Sequence, residues 1–361
     1  MKLTFWGVRG SIPTPVSERE IQEKLQDALI GAVNVDLGSP EAVKDYLRRL
    51  PWHTRSVAGG NTTCAEVISD KGDEYIVDAG SGIRPLGLEL MRRYNGKVNA
   101  KILISHDHWD HIQGFPFFVP AYVPGCRVEV YSGDKTLLKK LEQQALQSDT
   151  NFLRKKDLEN KINGGGNTVV MNKDAATNHT KDVFKGQQDV ERGYFPIGIE
   201  QMGAVLAFRD LKQYELVANG LNVSYMFHNA HPGGMFSYQL SENGKRIVFA
   251  GDFERDGKGK EFGVNDNKLI EWARETDVLV IDAQYTPEEY RTKIGWGHSE
   301  IEGVCELAGA AGIKALYLTH HDPTHDDKKL SAMEEHARAY MVSHVGPIPV
   351  YLAREGMEAI V

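Results

Sequence analysis

Cysteine is scarce in this chain: three residues in 361, Cys64, Cys126 and Cys305, far apart and with no CxxC pair. An odd, scattered set of this kind excludes a disulfide-stapled scaffold and points to a reducing, cytoplasmic setting. Long apolar runs are absent as well, since nothing approaches the ~18 consecutive residues of a membrane span. The opening MKLTFWGVRGS meets Gly7 too early for a secretory apolar segment. Positive charge is not in excess. With 42 Lys and Arg against 50 Asp and Glu, the formal charge of −8 disfavours a broad polyanion-gripping surface, so a small substrate is preferred to a long nucleic acid. No Pro-, Ser- or Gly-rich linker divides the chain and no solenoid-length repeat runs through it, which leaves one decorated domain.

What the chain does have is glycine, 36 residues, many in tight contexts such as DAGSG, HPGG and AGD. Five short β-branched runs release an acid or a histidine at their carboxyl ends: Asp78, His106, Asp252, Asp282 and His320. Open sheets covered by helices place ligand sites at such ends, so the five are expected on one rim. Helical periodicity falls between them, at about 17–30, 40–50, 85–94, 135–146, 268–274, 299–311 and 329–342, which predicts an α/β protein. The Asn-Gly of SENGKRIVFAG predicts a hairpin, and hence a partly antiparallel sheet. Two stretches read as insertions: about 17–55, helical and charged, and about 148–193, a loop or lid with little apolar periodicity.

The densest chemistry lies in KILISHDHWDHIQG, residues 101–114. On a strand end His106 and His108 would share a side, and the turn at Gly114 and Pro116 would swing Asp110 and His111 toward them. Three imidazoles and two aspartates this close are costly to desolvate unless a divalent cation offsets the cost. His106, His108, Asp110 and His111 match His-x-His-x-Asp-His, and here the chain resembles the metallo-β-lactamase fold. The resemblance implies an αββα sandwich of two mixed sheets. It also implies three further metal ligands: His231 in NAHPGG, Asp252 in FAGDF and His320 in YLTHHDP, with His228 and His321 as near alternatives. Two ions would be held, one by His106, His108 and His231, the other by Asp110, His111 and His320, with Asp252 shared. Imidazole and carboxylate without thiolate suit zinc, with manganese or iron as alternatives. The family's diiron oxidoreductases usually carry glutamate where this chain has His108, which favours a hydrolase. Asp78 resembles the early aspartate that orients a ligand, or else simply caps its strand.

Substrate must be read from other residues. His298 in GWGHSE, after DAQYTPEEY, resembles the proton-donating histidine of the tRNase Z-like phosphodiesterase branch, the alternative being a helix cap. With Asp110, it is the residue expected to carry catalysis: a hydroxide shared by the ions attacks phosphorus and His298 protonates the leaving alkoxide. FWGVRGSIPTP, GGNTTC, HWDHIQGFPFF and HHDPTHDD resemble bacterial and phage cyclic-nucleotide phosphodiesterases of the anti-Pycsar type, which implies a small cyclic diester as substrate and a homodimer. No basic, glycine-rich arm for tRNA is evident, and tRNA 3′-end cleavage is the second reading. A metal-bound scaffold acting through partner binding is the third. Trp109, Phe115, Phe117, Phe118 and Tyr122 are either core or a platform for a base. Asn61, Thr62 and Thr63 either build a turn or donate to phosphate.

Overall fold

The computed structural model describes residues 1–133, 178–211, 215–218, 221–258 and 261–361. Among these residues the strands form two seven-stranded sheets. The first is built from β1 (Lys2–Gly7), β2 (Cys64–Ile68), β3 (Glu74–Val77), β4 (Asn99–Leu103), β5 (Arg127–Gly133) and β6 (Val205–Leu211), with a late edge strand, β14 (Glu358–Ile360), beside β1. The second runs from β7 (Glu215–Ala218) through β8 (Leu221–His228), β9 (Met235–Glu242), β10 (Lys245–Gly251), β11 (Val278–Asp282) and β12 (Leu316–Thr319) to β13 (Val350–Leu352). In each sheet one half is parallel, β3 to β6 and β10 to β13, so their carboxyl ends point one way.

Side-chain alternation shows how the layers stack. Ile247 and Phe249 of β10, with Val278 and Val280 of β11, belong to the core between the sheets; Val248, Ala250, Leu279 and Ile281 face outward into a second core. Helices Val264–Trp272, Ile301–Ala311 and Asp327–Tyr340 cover that outer face. Helix Ile83–Arg93 covers the other sheet through Ile83, Leu86 and Leu90. The expected αββα sandwich is therefore the observed one. The predicted hairpin is present too: Asn243 and Gly244 take φ of 51° and 75° between the paired Glu242 and Lys245, as a type I′ turn requires.

Residues 17–55 hold helices Glu18–Gly31, Pro40–Arg49 and Trp52–Arg55. The first starts at a capping box between Ser17 and Glu20 and buries none of its residues. It is tied to the body by Lys24, whose ammonium lies 2.8 Å from the buried Asp327 carboxylate, and Trp52 Nε1 donates to Glu334 nearby. Its outer face exposes Ile21, Leu25 and Leu29. The second stretch departs from the loop expected of it. Residues 134–177, and with them the predicted helix at 135–146, lie outside the described residues, but His179–Gln187 form a helix. Its buried face is Thr180, Phe184 and Gln187, and Phe184 packs on Phe115 at 4.6 Å between centroids. Only one of those three side chains is apolar, so hydrophobic periodicity could not reveal it. No described helix is long and apolar enough to cross a membrane.

Lys24→Ala should remove the ammonium from the Asp327 carboxylate, leaving the Ala58 N–H as its hydrogen-bond donor among the described residues. Urea unfolding is expected to show a loss of about 2 kcal/mol.

Candidate metal centre

Two strand ends set the site's geometry by leaving their sheets in the left-handed region, Asp78 after β3 with φ of 62° and His320 after β12 with φ of 61°. For residues other than glycine such a conformation is strained and persists only where surroundings demand it. Around Asp78 the demand is visible. Its carboxylate accepts from the Ser105 N–H at 2.7 Å, from the Ser105 hydroxyl at 2.9 Å and from His111 Nδ1–H at 2.8 Å. With Nδ1 engaged, His111 turns Nε2 toward Asp252 at 3.2 Å and Asp110 at 3.4 Å. Asp78 thus orients a histidine that the chain offers to a cation.

Asp252, at the end of β10, is the centre of the cluster. Its Oδ2 lies 3.2 Å from His111 Nε2, 3.3 Å from His320 Nε2, 3.6 Å from His106 Nε2 and 3.9 Å from His231 Nε2. Asp110 Oδ2 lies 3.0 Å from His320 Nε2 and accepts the Ser11 N–H at 2.8 Å. On the other flank His231 donates Nδ1–H to the Gly297 carbonyl at 2.9 Å, leaving Nε2 to face His108 Nδ1 at 3.0 Å. The donor atoms fall into sets within 4.8 Å: His106, His108 and His231; and Asp110, His111, Asp252 and His320. The structure brings all seven predicted ligands together.

The residues fit a pair of cations. His106 Nε2 is fully buried, has no hydrogen-bond partner, and points at a carboxylate beyond hydrogen-bond reach. The donors are imidazoles and carboxylates, the set that holds zinc, manganese or iron. Electrostatics agree. Burial opposes charge on His111 and His320, yet Asp252 and Asp110 outweigh it, raising His320 to about 9 and His111 well above the ordinary value. Burial likewise opposes charge on Asp110 and Asp252, but the facing histidines hold both carboxyls far below their usual range. On the other flank burial dominates, lowering His231 to about 4 and His106 well below its ordinary value. Protons on His111 and His320 thus take the place that cations would take.

Sequence reasoning put His106 and His108 on a strand end. In the structure β4 stops at Leu103, both histidines lie on the following loop, and Asp110 and His111 sit on a one-turn helix, Trp109–Ile112. The near alternatives fall outside the cluster: His228 Nε2 pairs with the Ser237 hydroxyl at 2.9 Å, and His321 Nε2 donates to the Ala353 carbonyl at 2.8 Å. Asn61 and Thr62 are turn builders, bonded to Glu355, Ser81 and Gln113. Phe115 and Phe118 are core, whereas Trp109 and Phe117 are exposed.

His298 stands beside the cluster, its ring stacked on His320 at 4.7 Å between centroids and its Nδ1 2.6 Å from Asp282 Oδ2. Asp282 is wholly buried, and burial raises its pKa against the pull of His298 and His320. Its position at a strand end was visible in the sequence, but its partnership with His298 was not. Ser105, the Ser11 N–H, the Gly297 carbonyl and Glu254 also escaped sequence reasoning. Three of these four act through backbone or through a small hydroxyl, and none carries a ligand-type pattern.

The two packed sheets and their flanking helices form a metallo-β-lactamase fold, and the His and Asp clusters at its rim could hold metal ions. Residues 203–321 match the family described as "Beta-lactamase superfamily domain". The chain is 34% identical over 107 residues to a Ribonuclease Z of Pseudomonas putida, a match covering 29% of this chain and 29% of that protein. It thus spans well under two thirds of that relative. The metallo-beta-lactamase fold protein YhfI from Bacillus subtilis superposes with a TM-score of 0.54 at 13% identity, covering 99% of both chains. A diphosphatase from the PhnP family superposes at 0.52 with 15% identity, covering 100% of this chain and 97% of that one.

Loading the chelator-stripped protein with zinc at pH 7 should release about two protons, those held by His111 and His320, and apparent affinity should climb as pH rises toward about 9. Calorimetry in buffers of different ionisation enthalpy reads the count; no release would contradict the cluster's charge state.

Proposed function

We propose that this chain hydrolyses phosphodiesters, with small diesters such as cyclic nucleotides as substrates and two divalent cations, zinc foremost, as cofactors. The observation that carries the reading is the Asp252 carboxylate within 3.9 Å of four imidazoles, beside a histidine backed by a buried aspartate. His106, His108 and His231 would hold one ion and Asp110, His111 and His320 the other, with Asp252 between them. When bound, such ions supply Lewis acidity toward phosphoryl oxygens and make water a nucleophile at neutral pH.

The chain's own contribution centres on His298. Asp282 engages Nδ1, which fixes the ring's orientation and leaves Nε2 as the atom through which a proton can pass to a leaving alkoxide. Stacking on His320 keeps that ring beside the cluster. A pair of this kind is superfluous in a scaffold that only binds partners, and this weighs against the scaffold reading. The second enzymatic reading, RNA 3′-end cleavage, draws on the name of the Pseudomonas putida relative, while the acidic balance of −8 argues against a tRNA substrate. The homodimer implied by resemblance finds support in the apolar face of Ile21, Leu25 and Leu29, and the cytoplasmic setting in three buried cysteines without disulfides.

Turnover of an aryl phosphodiester, cyclic mononucleotides and a precursor tRNA by zinc-loaded protein tests the reading. His298→Ala is expected to lower kcat about 100-fold or more with zinc content unchanged. Asp282→Asn, which keeps the shape but removes the charge, should lower kcat by a smaller factor. Cleavage of precursor tRNA alone would favour the second reading.

A further inference from the structure

Six of the seven clustered side chains are buried; the exception is His108, so the centre opens to solvent on that side. Two exposed tryptophans adjoin residues of that side along the chain. Trp109 follows His108 directly and is 66% exposed, and Trp296 is 57% exposed. Trp296 directly precedes Gly297, whose carbonyl holds His231, the ring that faces His108 at 3.0 Å. Each indole is therefore one residue from a group touching the His108–His231 pair. Tryptophan is usually well buried on average, so two exposed ones next in sequence to groups of one ligand pair stand out.

The loop that presents Trp296 is rigid without help from the indole. Gly295 and Gly297 have φ of 86° and 92°, and their N–H groups donate to Glu254 at 2.6 and 2.7 Å. Tyr290 donates its hydroxyl to the same carboxylate at 2.8 Å. Gly297 admits no side chain, because a Cβ there would lie 2.3 Å from His231 Nδ1. Lys293 Nζ sits 3.8 Å from the Trp296 ring centroid, placing a cation on one face of the indole. Phe117, the other exposed aromatic nearby in sequence, is already engaged edge-on with Phe195 at 5.6 Å.

We propose that Trp109 and Trp296 form an aromatic rim that stacks the planar base of a nucleotide diester whose phosphate occupies the metal centre. The inference rests on the phosphodiesterase reading and adds the substrate's class: a diester carrying an aromatic base, accepted with little discrimination among bases because every base has a π face.

The test uses zinc-loaded full-length protein, with Trp109→Ala, Trp296→Ala and the conservative Trp109→Phe and Trp296→Phe. Titration with 5′-AMP, followed by calorimetry and in the wild type also by tryptophan emission, reads binding without turnover. Kinetics compare 3′,5′-cyclic AMP with glycerol 1,2-cyclic phosphate, a small cyclic diester that has no ring to stack. The wild type should show saturable quenching. Each alanine variant should weaken AMP binding and raise KM for cyclic AMP about tenfold, with kcat largely kept and glycerol cyclic phosphate unaffected. The phenylalanine variants should restore most of the loss. Alanine variants that bind AMP and turn over cyclic AMP like wild type overturn the rim, as do variants that lose both substrates equally. If no diester is cleaved but calorimetric AMP binding persists in the wild type and is lost in the alanine variants, the hydrolase reading fails and the base site stands.

Discussion

The arrangement depends on one carboxylate. Asp252 is 2% exposed, and its Oδ2 is approached by imidazole nitrogens of His106, His111, His231 and His320. A buried carboxylate among four buried rings is stable only if positive charge accompanies it, as protons on the rings or as cations between them. The raised pKa values of His111 and His320 are the proton version of that requirement. The geometry that favours protons on the cluster is also the geometry that could hold metal ions.

Neither sheet could build this alone. His106, His108, Asp110, His111 and the orienting Asp78 follow β3 and β4 of the first sheet, while His231, Asp252 and His320 follow β8, β10 and β12 of the second and Asp282 ends its β11. The core between the sheets, with Phe5, Tyr75, Phe236, Tyr238 and Phe249, fixes how far apart the two rims stand. Phe236 ties the layers directly, since its N–H donates to the Ser105 carbonyl beside Asp78. Packing therefore sets the distances on which the site's electrostatics depend.

The supports around the ligands show why catalytic sites ask for odd backbone. His320 and Asp78 hold positive φ, and Gly297 turns its carbonyl onto His231 at a position where a Cβ would collide with that ring. The loop carrying Gly297 is then tied to Glu254 rather than to a strand. Local strain is offset by hydrogen bonds from elsewhere in the chain, and the ligand rings lose rotational freedom in return.

Much of this was legible in the chain itself, because its signals are local. Alternating apolar residues mark strands, Asn243-Gly244 marks a turn, and His106, His108, Asp110 and His111 lie within six positions, so covalent connection alone brings them near one another. The helix His179–Gln187 was not legible, since its buried face is mostly polar. The chain favoured His231 over His228 and His320 over His321 only through the resemblance, since neighbours three and one residues apart differ only in which way a folded loop turns them. Tertiary structure settled those choices, along with the Asp282–His298 pair, the Ser11 N–H and the Gly297 carbonyl, because each depends on a contact between segments that share no sequence neighbourhood. Residue type and local spacing determine which chemistry is available; only the packing of two sheets determines which atoms meet.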